Sequence, residues 1–187
     1  MKYILASASP RRKELMKEIS PDFLIDVSHA DESHSDKDSP LEYVKHVAYI
    51  KGEEVSNRHP LDLVISADTI VTIDNEIIGK PIDEEDAKKI LRKLSDKKHL
   101  VLTAYCIFYQ NKCYEEVVET EVYFKKLSEG LIEKYVASGS PLDKAGAYGI
   151  QDNEEFPIIE KIKGSLNNVI GFPVEEIIEK LKEIEVK

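Results

Sequence analysis

Residues 99–124, HLVLTAYCIFYQNKCYEEVVETEVYF, read as one long β-hairpin turning at Gln110-Asn111-Lys112. Two arms of that length are not stable alone in water and require further strands and a covering layer. Both are available along the chain. KYILA (2–6), FLIDV (23–27), LDLVISADTIVTI (61–73) and EEFPIIEKI (154–162) read as strands, the third broken by Ser66 and Asp68. Residues 41–58, 83–94, 128–138 and 173–187 read as helices, the last with Ile177, Ile178, Leu181 and Ile184 on one face. Strands and helices alternate without two clean halves, which predicts an α/β fold built on a mixed β-sheet flanked by helices. At 187 residues the chain can form one domain with a sizeable core, or at most two small lobes.

Charge narrows the partners. Lys and Arg number 26 against 36 Asp and Glu, a net charge of −10. Such a chain is a poor nucleic-acid coat or membrane binder, so no nucleic acid and no membrane are expected as partners. No apolar run is long enough to cross a bilayer, and residues 1–30 lack a signal-peptide pattern. Two cysteines, Cys106 and Cys113, argue against a disulfide scaffold and fit a reducing cytoplasm.

Against this acidic background the stretch ASASPRRKEL (6–15) is unusual. Ser9 suits a helix N-cap and Pro10 the first helical position. Arg11, Arg12 and Lys13 then crowd a first turn where the dipole is already positive and N–H groups point outward. A strand, a small-residue loop and a helix N-terminus form a general phosphate-binding layout, to which Ser7 and Ser9 can donate and Arg11 and Arg12 can fork. The alternative is that the arginines face solvent or pair with acids. No GxxxxGK[ST] loop occurs. Asp68 follows the buried-looking run LVISA, and a carboxylate at the end of such a strand needs a pair, hydrogen bonds or a metal; the plainer alternative is a turn-forming Asp linking two strand segments. GKPID (79–83) projects Lys80 from a turn, and KAGAYGIQ (144–151) leaves backbone bare near Gln151, whose amide could read a base edge. IKGSLNNVIGFP (162–173) could bind phosphate or simply turn before the last helix. HADESH (29–34), with His29, Asp31, Glu32 and His34, matches no metal motif and reads as a solvated loop.

Together these segments resemble the Maf family of nucleoside triphosphate pyrophosphatases. The motifs that carry the resemblance are LASASPRRKEL (5–15), SADTIV (66–71), GKPID (79–83), YVASGSPLDKAGAYGIQ (135–151) and KIKGSLNNVIGFPVE (161–175), in order over nearly the whole chain. The resemblance implies a single domain over 1–187, with two lobes around a deep nucleotide-binding cleft on an elongated mixed sheet, as in the inosine triphosphate pyrophosphatases. It implies cleavage of a nucleoside triphosphate between the α- and β-phosphates, a divalent cation (Mg²⁺ or Mn²⁺), a homodimer, and cytoplasmic housekeeping of the nucleotide pool. Arg11, Thr69 and Gln151 stand where the dTTP/UTP branch is marked, rather than the branch that prefers 7-methyl-GTP. Asp152 stands where glycine is usual, and Gly52 where alanine is usual.

On this reading Arg11, Arg12, Lys51 and Lys80 surround the triphosphate, and Ser7 and Ser9 position a phosphate. Asp68 orients or deprotonates water, directly or as a metal ligand, with Glu32 the second carboxylate. Thr69 and Gln151 favour a pyrimidine. Two rivals accompany it: a non-catalytic nucleotide sensor acting in cell division, and a pyrophosphatase for modified nucleotides.

Overall fold

The computed structural model describes residues 1–32 and 39–184. His34 and residues 185–187, named above, lie outside them. The chain order is β1 (Tyr3–Leu5), α1 (Pro10–Ile19), β2 (Phe23–Ile25), α2 (Pro40–Arg58), β3 (Leu63–Ile73), β4 (Glu76–Ile78), α3 (Glu84–Leu94), β5 (Lys98–Tyr109), β6 (Lys112–Phe124), α4 (Glu129–Ala137), β7 (Ile159–Lys163), α5 (Leu166–Ile170) and α6 (Val174–Glu183). Between α4 and β7 lie three 3₁₀ turns, Ser140–Asp143, Ala145–Ala147 and Ile150–Glu154. The strands form a seven-stranded sheet in the order β2-β1-β3-β5-β6-β7, with β4 bonded to β3. The sheet is mixed, as expected: β1 runs parallel to β2 and β3, whereas β3–β4 and β6–β7 are antiparallel.

Local chemistry sets the boundaries. The β5–β6 hairpin turns on Gln110 and Asn111, both with positive φ (51° and 61°), the conformation a two-residue hairpin loop requires. Asp74 and Asn75 (52° and 63°) make the same turn between β3 and β4, a hairpin absent from the sequence reading. Ser39 caps α2 in a full capping box with Glu42, and Asp83 caps α3 ahead of Glu84, Glu85 and Asp86. Two expectations are corrected. Ser66 and Asp68 do not break β3, which runs unbroken for eleven residues. The strand expected at 154–162 starts only at Ile159, because Asn153 Oδ1 accepts the Ile159 N–H and the preceding residues turn.

The chain divides into two compact units. The first comprises Met1–Thr69, Thr103–Val118 and Gly171–Lys187. In it Ile4, Ala6, Val55 and Val64 pack together against Phe108, and α1 lies against α6. The packing around Gly52 of α2 accounts for a glycine there. A Cβ there would collide with the Phe108 ring and with Ser66 Oγ, and Ser66 Oγ donates to Ala48 O at 2.7 Å. Helix and strand thus approach more closely than any side chain at position 52 allows. Gly52→Ala, although it improves helix propensity, lowers the unfolding free energy by about 1–3 kcal/mol, measured by denaturant unfolding.

The second unit comprises Ile70–Leu102 and Glu119–Ile170. Its core joins Val71, Leu91, Leu94, Val122 and Phe124 to Tyr135 of α4. His99, buried, bonds Tyr148 Oη at 2.8 Å through Nε2 and stands edge-on to Phe124. Its Nδ1 has no partner among the described residues. Burial pulls the imidazole from its ordinary 6.5 down to about 4. Between those values the unfolded chain takes up a proton that the folded chain refuses. Stability is therefore full above pH 6.5 and falls as pH drops toward 4, by on the order of 3 kcal/mol. Urea titrations across that range check this, and His99→Gln flattens the slope.

Candidate functional site

In the first unit β1 ends in a loop whose polar atoms turn toward the start of α1. Ser9 caps the helix, its Oγ accepting the Arg12 N–H at 3.4 Å, with Pro10 at the first position and no acidic residue in the first turn. Ser7 Oγ, nearly buried, accepts the Ser9 N–H at 3.2 Å and Arg12 Nη1 at 3.3 Å. The hydroxyl hydrogens of both serines remain available as donors. The helix start, Ser7, Ser9 and Arg12 thus come together.

Arg12 is partly buried, and its side-chain hydrogen bonds run to neutral oxygens. Its Nε donates to Gly171 O at 2.9 Å and its Nη2 to Thr69 Oγ1 at 3.0 Å. Three of its five N–H donors are therefore engaged on the protein's own oxygens. Burial lowers its pKa, Asp68 opposes that, and Arg11 nearby adds to it. Thr69 Oγ1 also donates to Gly171 O at 3.2 Å and lies 2.9 Å from Thr103 Oγ1. Gly171 holds φ +117°, a conformation that lets its carbonyl serve both residues. Neither Thr103 nor Gly171 was singled out from sequence; Gly171 sits within the quoted motif VIGFP, the one signal available.

Asp68 lies in the interior of β3, not at a strand end, so the sequence expectation of a terminal position is corrected. It is tolerated there because α2 brings Lys51 to it: Nζ donates to Asp68 Oδ1 at 3.0 Å. The same ammonium lies 3.0 Å from Glu32 Oε2. Two carboxylates thus share one cation, with Asp68 and Lys51 largely covered and Glu32 half open to solvent. Tyr43, one α2 residue the sequence reading passed over, has its phenol pKa raised by burial and then by Asp68 and Glu32. Among the described residues no three His, Cys, Asp or Glu side chains form a metal cluster. A pair of carboxylates already gathered on a cation is nevertheless the oxygen donor set that a hard divalent ion uses together with substrate phosphates.

The second unit carries Lys80 and Gln151 on separate turns that are tied together. Gly146 N–H donates to Gly79 O at 3.0 Å, linking the turn before Lys80 to the KAGAYGIQ segment. Lys80 and Gln151 are both exposed. Gly146 holds φ +71°, and a Cβ there would press on Val71. Gly149 N–H donates to Tyr135 Oη at 3.0 Å. Asp152 accepts from Tyr135 Oη at 2.6 Å and from Ser140 Oγ at 2.7 Å.

The fold and these residues define an α/β protein in which a cationic helix start adjoins a carboxylate pair. The chain belongs to the Maf-like protein family, whose model matches residues 2–184. It is 44% identical over 180 residues to the dTTP/UTP pyrophosphatase of Desulfotalea psychrophila, covering 95% of this chain and 92% of that one. The corresponding values are 47% over 174 residues for that of Alkaliphilus metalliredigens (91% and 90%) and 46% over 182 residues for that of Thermococcus kodakarensis (97% and 95%). Among solved structures, the Staphylococcus aureus Ham1 protein overlaps 69% of the chain and 73% of its own at TM-score 0.48 and 17% identity, too distant to inform the site. No described helix is long and apolar enough to cross a membrane.

Arg12 joins α1, β3 and the short segment between α5 and α6 by way of three neutral oxygens. Arg12→Met, which keeps much of the side-chain bulk, lowers stability by about 1–3 kcal/mol, read from the thermal midpoint.

Proposed function

We propose that this protein hydrolyses nucleoside triphosphates, dTTP and UTP foremost, between the α- and β-phosphates to a monophosphate and pyrophosphate. Its relatives bear that activity in their names over nearly the full length of the chain. The observation that carries the reading here is Asp68, a largely covered carboxylate beside Arg12 and bonded to Lys51. A base next to cations is what attack of water on a phosphate anhydride needs.

In this reading the N–H groups of the α1 start, with Ser7 and Ser9, meet a phosphate, and Arg11, Arg12 and Lys51 balance its charge. Thr69 and Gly171 O fix the plane of the Arg12 guanidinium, so its two remaining donors face a defined direction. Asp68 orients the attacking water and takes its proton. Lys80 and Gln151 are assigned to the same substrate on family resemblance, Lys80 as a charge on the leaving pyrophosphate and Gln151 as the reader of a pyrimidine edge. Asp68 and Glu32 are the residues that would hold Mg²⁺ or Mn²⁺. Such an ion, when bound, neutralises charge on phosphate oxygens. A homodimer, a cytoplasmic location and a housekeeping role toward the nucleotide pool belong to the same proposal.

Pyrophosphate release from a nucleotide panel, with Mg²⁺, Mn²⁺ or chelator, tests it. Fast release from dTTP and UTP that chelator abolishes is expected. Release mainly from methylated GTP would overturn the substrate assignment, and binding without release from any nucleotide would point to a sensor. Asp68→Asn keeps nucleotide binding and loses about a hundredfold or more in kcat.

A further inference from the structure

The acid at position 152 is the feature of the second unit that the proposed reaction leaves unused. Its Oδ2 accepts two short hydrogen bonds, from Tyr135 Oη at 2.6 Å and from Ser140 Oγ at 2.7 Å. Tyr135 is buried on α4, its ring tilted against Phe156 with centroids 4.8 Å apart. Because its phenol donates to Asp152, its oxygen is free to accept, and the Gly149 N–H fills that place at 3.0 Å. A further bond runs from Asp152 N–H back to Gly149 O at 3.1 Å. One phenol oxygen therefore holds the backbone two residues before Gln151 and the side chain one residue after it.

Gln151 lies inside this clasp. Its Oε1 stands 3.0 Å from where a Cβ on Gly149 would be, so its amide folds back over that glycine. Lys144 closes the other side: its Cε lies 2.7 Å from the same point, and its Nζ donates to Ser140 Oγ at 2.9 Å and approaches Asp152 Oδ2 at 3.8 Å. With glycine at 152, the Tyr135 and Ser140 hydroxyls would both lose this acceptor, and Gly149 would be held by a phenol no longer fixed in rotation. Burial and the adjoining carboxylate both keep the Tyr135 phenol protonated, the state in which it can donate.

We propose that Asp152 is a positioning residue for base recognition: through Tyr135 and Gly149 it fixes the direction of the Gln151 amide and so sets discrimination among pyrimidine bases. The inference rests on the assignment of Gln151 to the base in the proposed function. A uracil or thymine presents an N–H between two carbonyls, whereas cytosine presents an amino group beside an unprotonated ring nitrogen. A side-chain amide tells these apart only if its oxygen and nitrogen are held in order.

The test uses the full chain and the variants Asp152→Ala, Asp152→Gly and Gln151→Ala, with dTTP, UTP and dCTP as substrates. Amide hydrogen exchange gives a readout independent of turnover. Asp152→Ala is expected to speed exchange at Gly149, and to raise KM for dTTP and UTP up to about tenfold while kcat stays within about twofold. The preference for dTTP over dCTP should narrow to the same extent. In a Gln151→Ala background, Asp152→Ala should change neither KM nor preference further, since the group it orients is gone. Asp152→Gly serves if the alanine variant folds poorly, and should act in the same direction. Unchanged exchange at Gly149 overturns the proposal, as does an equal effect of Asp152→Ala with and without Gln151. If Gln151→Ala itself leaves base preference intact, the assignment of Gln151 falls and this inference with it. If the wild type releases pyrophosphate from no nucleotide, the reaction falls, while the exchange result still decides whether Asp152 holds the turn.

Discussion

A carboxylate in the interior of a buried strand is the constraint around which the first unit is arranged. Asp68 sits on β3 after five buried residues and before a buried Ile70, where an uncompensated charge would be costly. Lys51 compensates it, and to reach Asp68 the ammonium must come from a helix lying close on the sheet. That closeness makes Gly52 obligatory, because Phe108 and Ser66 fill the space a Cβ would take. The Ser66–Ala48 hydrogen bond ties the same two elements one turn away. Carboxylate, ammonium and glycine are thus one decision, taken at positions that look independent in sequence.

Arg12 plays a corresponding part at the helix start. A guanidinium bonded to three neutral oxygens, with the Asp68 carboxylate close by, is fixed in direction by the protein itself. In the proposed reading phosphate recognition benefits from that arrangement, because the cation is fixed in direction before the ligand arrives. The contrast with α3 is instructive. There three acids occupy the first turn and satisfy the dipole internally, leaving nothing for a ligand to do.

Much of the architecture was legible because it rests on local signals. Apolar alternation located the long hairpin, Ser9 and Pro10 located the start of α1, and the amphipathic pattern located α3. The serine–proline–arginine start announced its chemistry through residues adjacent in the chain. What escaped were relations over long separations. Thr103 and Gly171 became visible only when 34 and 102 residues of separation from Thr69 closed into hydrogen bonds. The continuity of β3 escaped for the same reason, since its polar residues are satisfied from α2, 17 and 18 residues away. The segment 140–154 is a series of 3₁₀ turns without a period, and only its atomic contacts explain Asp152.

The first turn of α1, with Arg11, Arg12 and Lys13 and no acid among them, has one more consequence. If, as proposed, a nucleotide phosphate occupies that turn, its negative charge offsets the repulsion among these cations. Occupancy therefore adds to folding free energy by mass action, growing with the logarithm of ligand concentration. A cell that accumulates the anion would lengthen the lifetime of this protein against proteolysis, and one that depletes it would shorten that lifetime. Abundance would then follow supply, through the arrangement of charges on a single helical turn.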